Sequence, residues 1–342
     1  KARAAAPERA WWKNRPMGFR MPPEWAPQDW LWIGFPHDAD EWPDVLPRAQ
    51  EQIAAFANVV AESGQEVRLL VRDAANEKRA RALVSGAVTL ERRVYGDVWL
   101  RDTGPIVVDR GGKRAAVRPG FNGWGDKYLM AGDECIGAEL AEDAELALNQ
   151  PDWVLEGGAI DTNGQGTVLT TEQCLLNPNR NPRLSREEIE ARLTRDFGLT
   201  KVVWLGDGLL NDHTDGHVDN LARFVSEDRV ALAEPAGAHD PNREVYRDAK
   251  ARLEAAGLTV TPIPSPGLVT RGDWVEPASY ANFLIANSIV AVPTFGVPQD
   301  EDAVAAIDAL FPTRTAIGLP MLGVLAGGGG FHCASMQMPA ER

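Results

Sequence analysis

Four times along this chain a helix-forming stretch is followed within a few residues by a strand-forming one. In "RAQEQIAAFANVVAESGQ" the residues Ile53, Phe56, Ala57 and Val60 recur at helical spacing, the pattern stops at Gly64, and "EVRLLV" follows as a short strand. "SREEIEARLTRDFG" opens on Ser185 with Glu188 three residues later, a capping box, and runs into "KVVWL". "NREVYRDAKARLEAAG" before "LTVTPI" and "EDAVAAIDALFP" before "RTAIGL" complete the set. Such alternation restricts the chain to an α/β class with interleaved helices and strands. The polar motifs fall between these units: Asp102 in "VWLRDTGPIVV", Glu156 in "WVLEGGAI", His217 in "DGHVDNLARFV", Asn282 in "SYANFLIANSIVAV" and Cys333 in "GGGGFHC". Their successive separations are 54, 61, 65 and 51 residues. A near-constant step is what a repeated supersecondary unit produces when each copy delivers a residue to a shared centre. No Pro/Ser-rich linker interrupts the series, so the chain reads as a single domain.

Bulk properties narrow the partners. With 342 residues, 44% hydrophobic and 25% charged, the chain can bury a substantial core. Its longest apolar stretch, around Phe283 to Val292, is broken by Asn287 and falls short of the roughly 18–20 residues of a membrane helix, so no membrane association is expected. Forty-nine acidic against 35 basic residues leave a net charge of −14, which opposes nucleic acid and favours small cations. Cys135, Cys174 and Cys333 are an odd, widely spaced set without a CxxC pair, which argues against a disulfide framework and against a cysteine-bound zinc and suggests a reducing cytoplasm. The opening "KARAAAPERAWWKNRP" lacks the apolar core of a secretory signal; residues 1–16 read as an N-terminal extension or artificial tail and 17–342 as the catalytic domain.

Cys333 stands behind Gly327 to Gly330, a run without side chains that allows close approach of backbone or ligand, and is the candidate nucleophile. Cys135 and Cys174 are assigned to structural positions. His332 is adjacent to Cys333, but on extended chain neighbouring side chains point to opposite faces, so the partner base should come from elsewhere. "NDHTDGHVDN" offers His213, Asp215, His217 and Asp219; read as a strand, it puts His217 and Asp219 on one face, an acid/base imidazole beside a carboxylate. The rival reading is a metal-dependent hydrolase on His213, His217 and Asp219, since two histidines four apart suit zinc on a helix, although Gly216 and its polar neighbours are poor helix formers. Asp102 and Glu156 each precede a turn and singly could be mere caps. Asp102, Glu156 and Asp219 together around one histidine and one cysteine are an excess of negative charge that calls for a bound cation. A planar guanidinium matches such carboxylates best.

The motifs "GFRMPPEW", "WIGFPHDADEWP", "WLRDTGPIVV", "FNGWGDKY", "LEGGAI", "LTTEQCLLNPNRNP", "TDGHVDN" and "GGGGFHC…MQMP" resemble, in order, those of the agmatine deiminases, within the guanidine-modifying (pentein) superfamily and close to bacterial peptidylarginine deiminases. The resemblance implies a five-bladed, pseudo-symmetric α/β propeller with the site on its axis. It implies hydrolysis of agmatine to N-carbamoylputrescine, a polyamine precursor, and ammonia through a covalent thiouronium on Cys333. His217 would protonate the leaving amine and then activate water, Asp102 and Asp219 would hold the guanidinium, and Glu156 would orient or charge His217. No metal or organic cofactor is implied. Trp99, Trp124 and Asp215 are expected near the distal part of the substrate, the tryptophans through cation–π contact. Peptidyl-arginine or free arginine remain alternative substrates, a non-catalytic guanidine-binding protein is a further reading, and a homo-oligomer is compatible with the sequence.

Overall fold

The computed structural model describes residues 18–341; the expected extension at residues 1–16 lies outside them. The four helix-then-strand units form where the sequence places them. Leu46–Glu62 is a helix that buries Ile53, Phe56, Ala57 and Val60 and leads into strand Glu66–Val71. Helix Arg186–Phe197 begins at the Ser185/Glu188 capping box, ends on left-handed Gly198 and precedes strand Lys201–Leu205. Helix Arg243–Ala255 precedes Thr259–Pro264, and helix Asp300–Leu310 precedes Thr315–Pro320. A fifth unit, helix Asp133–Asp143 before the three-residue strand Ala147–Asn149, was not evident in the sequence because its strand is short and exposed.

Each unit belongs to a small sheet with one local rule: an antiparallel pair, then a helix that returns the chain to a parallel third strand. Ile106–Arg110, Lys113–Val117 and Ala147–Asn149 pair this way. So do Asp161–Thr162, Thr167–Thr171 and Lys201–Leu205. Ala222–Phe224, Arg229–Glu234 and Thr259–Pro264 form the next sheet, and Leu284–Ile285, Ile289–Thr294 and Thr315–Pro320 the one after. In the remaining sheet the first strand comes from the far end of the chain: Ser335–Pro339 runs antiparallel to Gln28–Gly34, which is parallel to Glu66–Val71. The C-terminal strand thus completes the N-terminal sheet and closes the ring of five repeats.

The five spaced motifs occupy corresponding places, each at the entry to its repeat. Asp102 lies in the short helix Leu100–Thr103 ahead of Ile106–Arg110, and Glu156 caps the 3₁₀ turn Gly157–Ala159 ahead of Asp161–Thr162. His217 caps the 3₁₀ turn Val218–Asn220, Asn282 ends the turn Tyr280–Asn282, and Cys333 precedes Ser335–Pro339. No helix among the described residues is long and apolar enough to cross a membrane.

Candidate active site

The repeat entries converge, and the site is held together by contacts between successive repeats. The Gly158 N–H donates to Asp102 Oδ1 at 2.9 Å, joining the second and first motifs. Asn282 Nδ2 donates to Asn220 Oδ1 at 2.9 Å and lies 3.1 Å from Cys333 Sγ, joining the last three. Cys333 Sγ is also 3.7 Å from Asp219 Oδ2. Gly158 marks the meeting point: a Cβ built there would stand 2.6 Å from His217 Nδ1, 3.0 Å from Asp102 Oδ1 and 3.1 Å from Asp219 Oδ2. A glycine is what permits these three groups to crowd one backbone.

The glycine run has an equally local explanation. Side chains at Gly327 and Gly329 would enter the rings of Trp42 and Trp99, and one at Gly330 would fall 2.4 Å from Asn282 Oδ1, while Gly328 has φ +104°. The run lets two indoles and an amide press against the backbone that leads into the thiol. Gly327 to Gly329 thereby form one wall of a cavity of about 230 Å³. Cys333, Asp102, Trp99 and Trp124 line it together, and Glu41 and Asp97 add two further carboxylates. Its volume is below the roughly 300–1,000 Å³ of clefts that take drug-sized ligands, which fits a small linear one.

Behind the Asp102 and Cys333 end lie His217, Asp219 and Glu156, all buried. Both ring nitrogens of His217, Asp219 Oδ1 and Glu156 Oε2 have no hydrogen-bond partner, although they are buried. Unpaired buried polar atoms cost free energy, and four of them in one place mark a site organised for something it does not itself contain. Asp102 and Asp219 are driven apart in acidity. Burial, with Asp219 and Glu156 nearby, holds Asp102 above the usual carboxylate range. Burial raises Asp219 too, but the hydrogen bond and charge of His332, with His217 and Arg223, outweigh it and hold Asp219 below that range. For His217 burial opposes the charge, yet Asp102, the Cys174 thiol and Glu156 raise its pKa well above the ordinary imidazole value. Burial, reinforced by Asp219 and Asp102, pushes the Cys333 thiol well up. The protein's own groups therefore favour a thiol and an imidazolium, and a cation seated between the carboxylates would reverse the electrostatic part of the thiol's shift.

Several sequence expectations need correcting. His217 and Asp219 do not share a strand face; they come together through the 3₁₀ turn Val218–Asn220, because Gly216 in left-handed conformation turns the chain before the strand begins. Asp215, expected at the substrate, is instead tied to Arg180 Nη1 at 2.8 Å, Lys127 Nζ at 2.9 Å and Asn179 Nδ2 at 2.9 Å, so its charge is already matched within the protein. Trp124 lines the cavity, and its Nε1 donates to Asp102 Oδ2 at 2.9 Å, so its edge is spent on positioning a carboxylate. Trp99 also lines the cavity and packs against Trp42 with ring centroids 6.0 Å apart.

His213 lines the cavity too, stacked on Tyr128 at 6.1 Å. It is not part of a ligand cluster with His217 and Asp219: the group of three whose ligating atoms lie within 4.8 Å of one another, among the described residues, is Glu156, Cys174 and His217. There Arg180 Nε already donates to Glu156 Oε1 at 2.6 Å with both side chains fully buried, so a fixed cation occupies the place where a metal's charge would be wanted. Sequence reasoning did not single out Arg180, or Asn282 as the amide donor to the Cys333 sulfur; the regular step had nonetheless pointed to Asn282.

The whole chain, and not only this cluster, has known counterparts. The family model described as Porphyromonas-type peptidyl-arginine deiminase matches residues 20–339. An agmatine deiminase of Pseudomonas putida is 37% identical over 356 residues, covering 94% of this chain and 96% of the relative. Among solved structures, the agmatine deiminase of Enterococcus faecalis superposes with a TM-score of 0.90 at 32% identity, covering 95% of this chain and 97% of that one. A cysteine-to-serine variant of the C. jejuni agmatine deiminase, with substrate bound, superposes with a TM-score of 0.89 at 29% identity over 94% of this chain and 97% of that one. A ring of five repeats, a thiol at its centre and a match from the first sheet to the last strand together assign the chain to the Porphyromonas-type peptidyl-arginine deiminase family.

Proposed function

We propose that this protein is an agmatine deiminase, hydrolysing a guanidinium to a ureido group and ammonia, with Cys333 as nucleophile. The observation that carries the reading is the pair Asp102 and Asp219 beside a cavity-lining thiol, with Asp219 Oδ1 left without a partner, an arrangement that suits a planar cation. The binding cation offsets both carboxylates and eases loss of the thiol proton. The Cys333 thiolate then adds to the guanidinium carbon, with the Asn282 amide donating to the sulfur. His217, held as an imidazolium, gives its proton to one amino group, and the C–N bond breaks to release ammonia and leave a thiouronium on the sulfur. The neutral imidazole next takes a proton from water, the hydroxide adds to the same carbon, and the C–S bond breaks to return the thiolate, the hydroxyl proton leaving to the released ammonia or to bulk water to yield N-carbamoylputrescine. Arg180 fixes Glu156, and Glu156 helps to keep His217 charged.

Cys174 is the competing thiol, since it too adjoins His217. It is fully buried, at 0% exposure, and its backbone N–H is taken by the Thr171 cap, whereas Cys333 is 6% exposed and lines the cavity. Access to substrate favours Cys333, and Cys174 is read as a neighbour that tunes the imidazole. Glu41 and Asp97 are available to the second cation of agmatine. We take residues 17–342 as one catalytic domain acting in the cytoplasm.

The test is release of ammonia and ureido product from agmatine, free arginine and an arginyl peptide by wild type, Cys333→Ser and Cys174→Ser. Turnover of agmatine that vanishes in Cys333→Ser and survives in Cys174→Ser supports the reading. Turnover surviving in Cys333→Ser overturns the nucleophile, and preference for arginine or the peptide overturns the substrate.

A further inference from the structure

Two sequence features have no part in that chemistry, the "PPEW" of the N-terminal motif and the histidine beside the nucleophile, and the fold brings them together. His332 is buried and is not among the residues that line the cavity. Its Nδ1 lies 2.7 Å from Asp219 Oδ2 and its Nε2 2.7 Å from Glu24 Oε2. An ionised carboxylate only accepts hydrogen bonds, so a neutral ring with one bare nitrogen would set two lone pairs against each other on one side. Glu24 does not supply the missing proton: burial works against its charge, but the neighbouring Arg223 guanidinium helps to hold its carboxyl well below the usual carboxylate range, with Oε2 accepting from Arg223 Nη2 at 2.5 Å and Oε1 from the Ile285 N–H at 2.7 Å. On the other side Asp219 is held in its ionised form by its surroundings.

We propose that His332 is a fixed imidazolium and a positioning residue for Asp219, the third member of an alternating buried chain of charges, Arg223, Glu24, His332 and Asp219, that ends where the substrate cation binds. This rests on the proposed function only for its last link, the role of Asp219; the charge state of His332 does not depend on it. Every charge facing the imidazole is accounted for. Glu24 and Asp219 flank it, Arg223 stands beyond Glu24, and Asp161 Oδ2 lies 3.6 Å from Arg223 Nε. Arg101 reaches the His332 carbonyl from the first motif's helix, with Nε at 3.3 Å, and its backbone N–H donates to the Cys333 carbonyl at 2.9 Å. Backbone N–H of His332 donates to Asn282 Oδ1 at 3.1 Å, which fixes the ring's root while leaving its charge to the two carboxylates.

The chain has a definite use. Asp219 must stay ionised 3.7 Å from a sulfur that becomes a thiolate, with Asp102 also in the site. Like charges at that range raise one another's pKa. A cation rigidly attached to the back of Asp219 counters this and leaves Oδ1, the atom without a partner, for the guanidinium.

Side-chain ¹H–¹⁵N spectra of the full chain labelled at its five histidines test the charge directly, with His332 assigned by His332→Asn. Both ring nitrogens of His332 are expected to carry a proton, one donating to Asp219 Oδ2 and the other to Glu24 Oε2. In Glu24→Gln, which keeps the shape and removes the charge, the same ring should keep only one of its two N–H signals. A bare ring nitrogen in wild type overturns the proposal whether or not the protein acts on agmatine. For positioning, the acid limb of kcat/KM in Glu24→Gln and His332→Asn should move up by about one to three pH units, because an Asp219 without its cation protonates sooner. Uniform loss of activity with the limb unmoved overturns the positioning role. If His332→Asn does not fold, the Glu24→Gln spectra and pH profile decide alone, with His332 then identified as the signal that Glu24→Gln shifts.

Discussion

Gly158→Ala tests whether the crowded point is the reaction centre. The new methyl would stand 2.6 Å from His217 Nδ1, 3.0 Å from Asp102 Oδ1 and 3.1 Å from Asp219 Oδ2. Ordinary contact begins near ~3.4 Å, so the imidazole must retreat by about 0.8 Å and each carboxylate by about 0.3–0.4 Å. The backbone conformation accepts alanine, and the N–H that donates to Asp102 is retained, so the perturbation is almost purely a displacement of three side chains. A misplacement of about 1 Å in a reacting constellation costs about a hundredfold. That corresponds to about 2.7 kcal/mol of transition-state stabilisation. The assay is kcat/KM for ammonia release from agmatine, with thermal unfolding measured in parallel and Gly86→Ala, which meets nothing within 4 Å, as the control. A Gly158→Ala protein within about threefold of wild type would refute the convergence of His217, Asp102 and Asp219 on one reacting group, since a tenfold change is only about 1.4 kcal/mol.

Other substitutions probe the supports around that point. Trp124→Phe keeps the ring and removes the donor to Asp102, and should lower kcat/KM by roughly tenfold while shifting the acid limb upward; an unchanged profile would mean the indole N–H does not matter. Arg180→Ala leaves Glu156 buried without its guanidinium, and should cost about 3–5 kcal/mol in denaturant unfolding, against almost nothing if the pair were solvated. Asp133 has its pKa pushed by burial up to about 6, so its contribution is fully present below the unfolded carboxylate value and lost as pH rises through about 6. Asp133→Asn, whose amide oxygen can still accept from the N–H groups of Gly96 and Asp97, should therefore melt higher than wild type near pH 8, with the gain shrinking towards pH 4; a gain independent of pH would refute the titration.

Much of this architecture was legible before any fold was seen, for reasons that differ by element. The helix Arg186–Phe197 announced itself because its cap, Ser185 with Glu188, is a contact between residues three apart. The helix Leu46–Glu62 did so because its buried side chains fall on one face. The fifth unit escaped notice because a strand of three residues carries too few side chains to alternate. His217 and Asp219 were read as strand neighbours since their spacing of two suits a strand equally well; Gly216 in left-handed conformation decided for a turn. Asp215 looked as available as Asp219, and only the approach of Arg180 and Lys127 from other segments distinguishes them.

By itself the sequence determined the kinds of element, their order, the recurring step, and which five motifs would stand at the repeat entries, because caps, periodicity and turn residues act within a few positions along the chain. Tertiary structure alone decided the partners. His332 and Glu24 are separated by 308 residues, Asn282 and Cys333 by 51, and Trp124 and Asp102 by 22. Each contact sets a protonation state or aims a donor, and both effects depend on distances through space and on exclusion of water, neither of which is written into the spacing of residues along a chain.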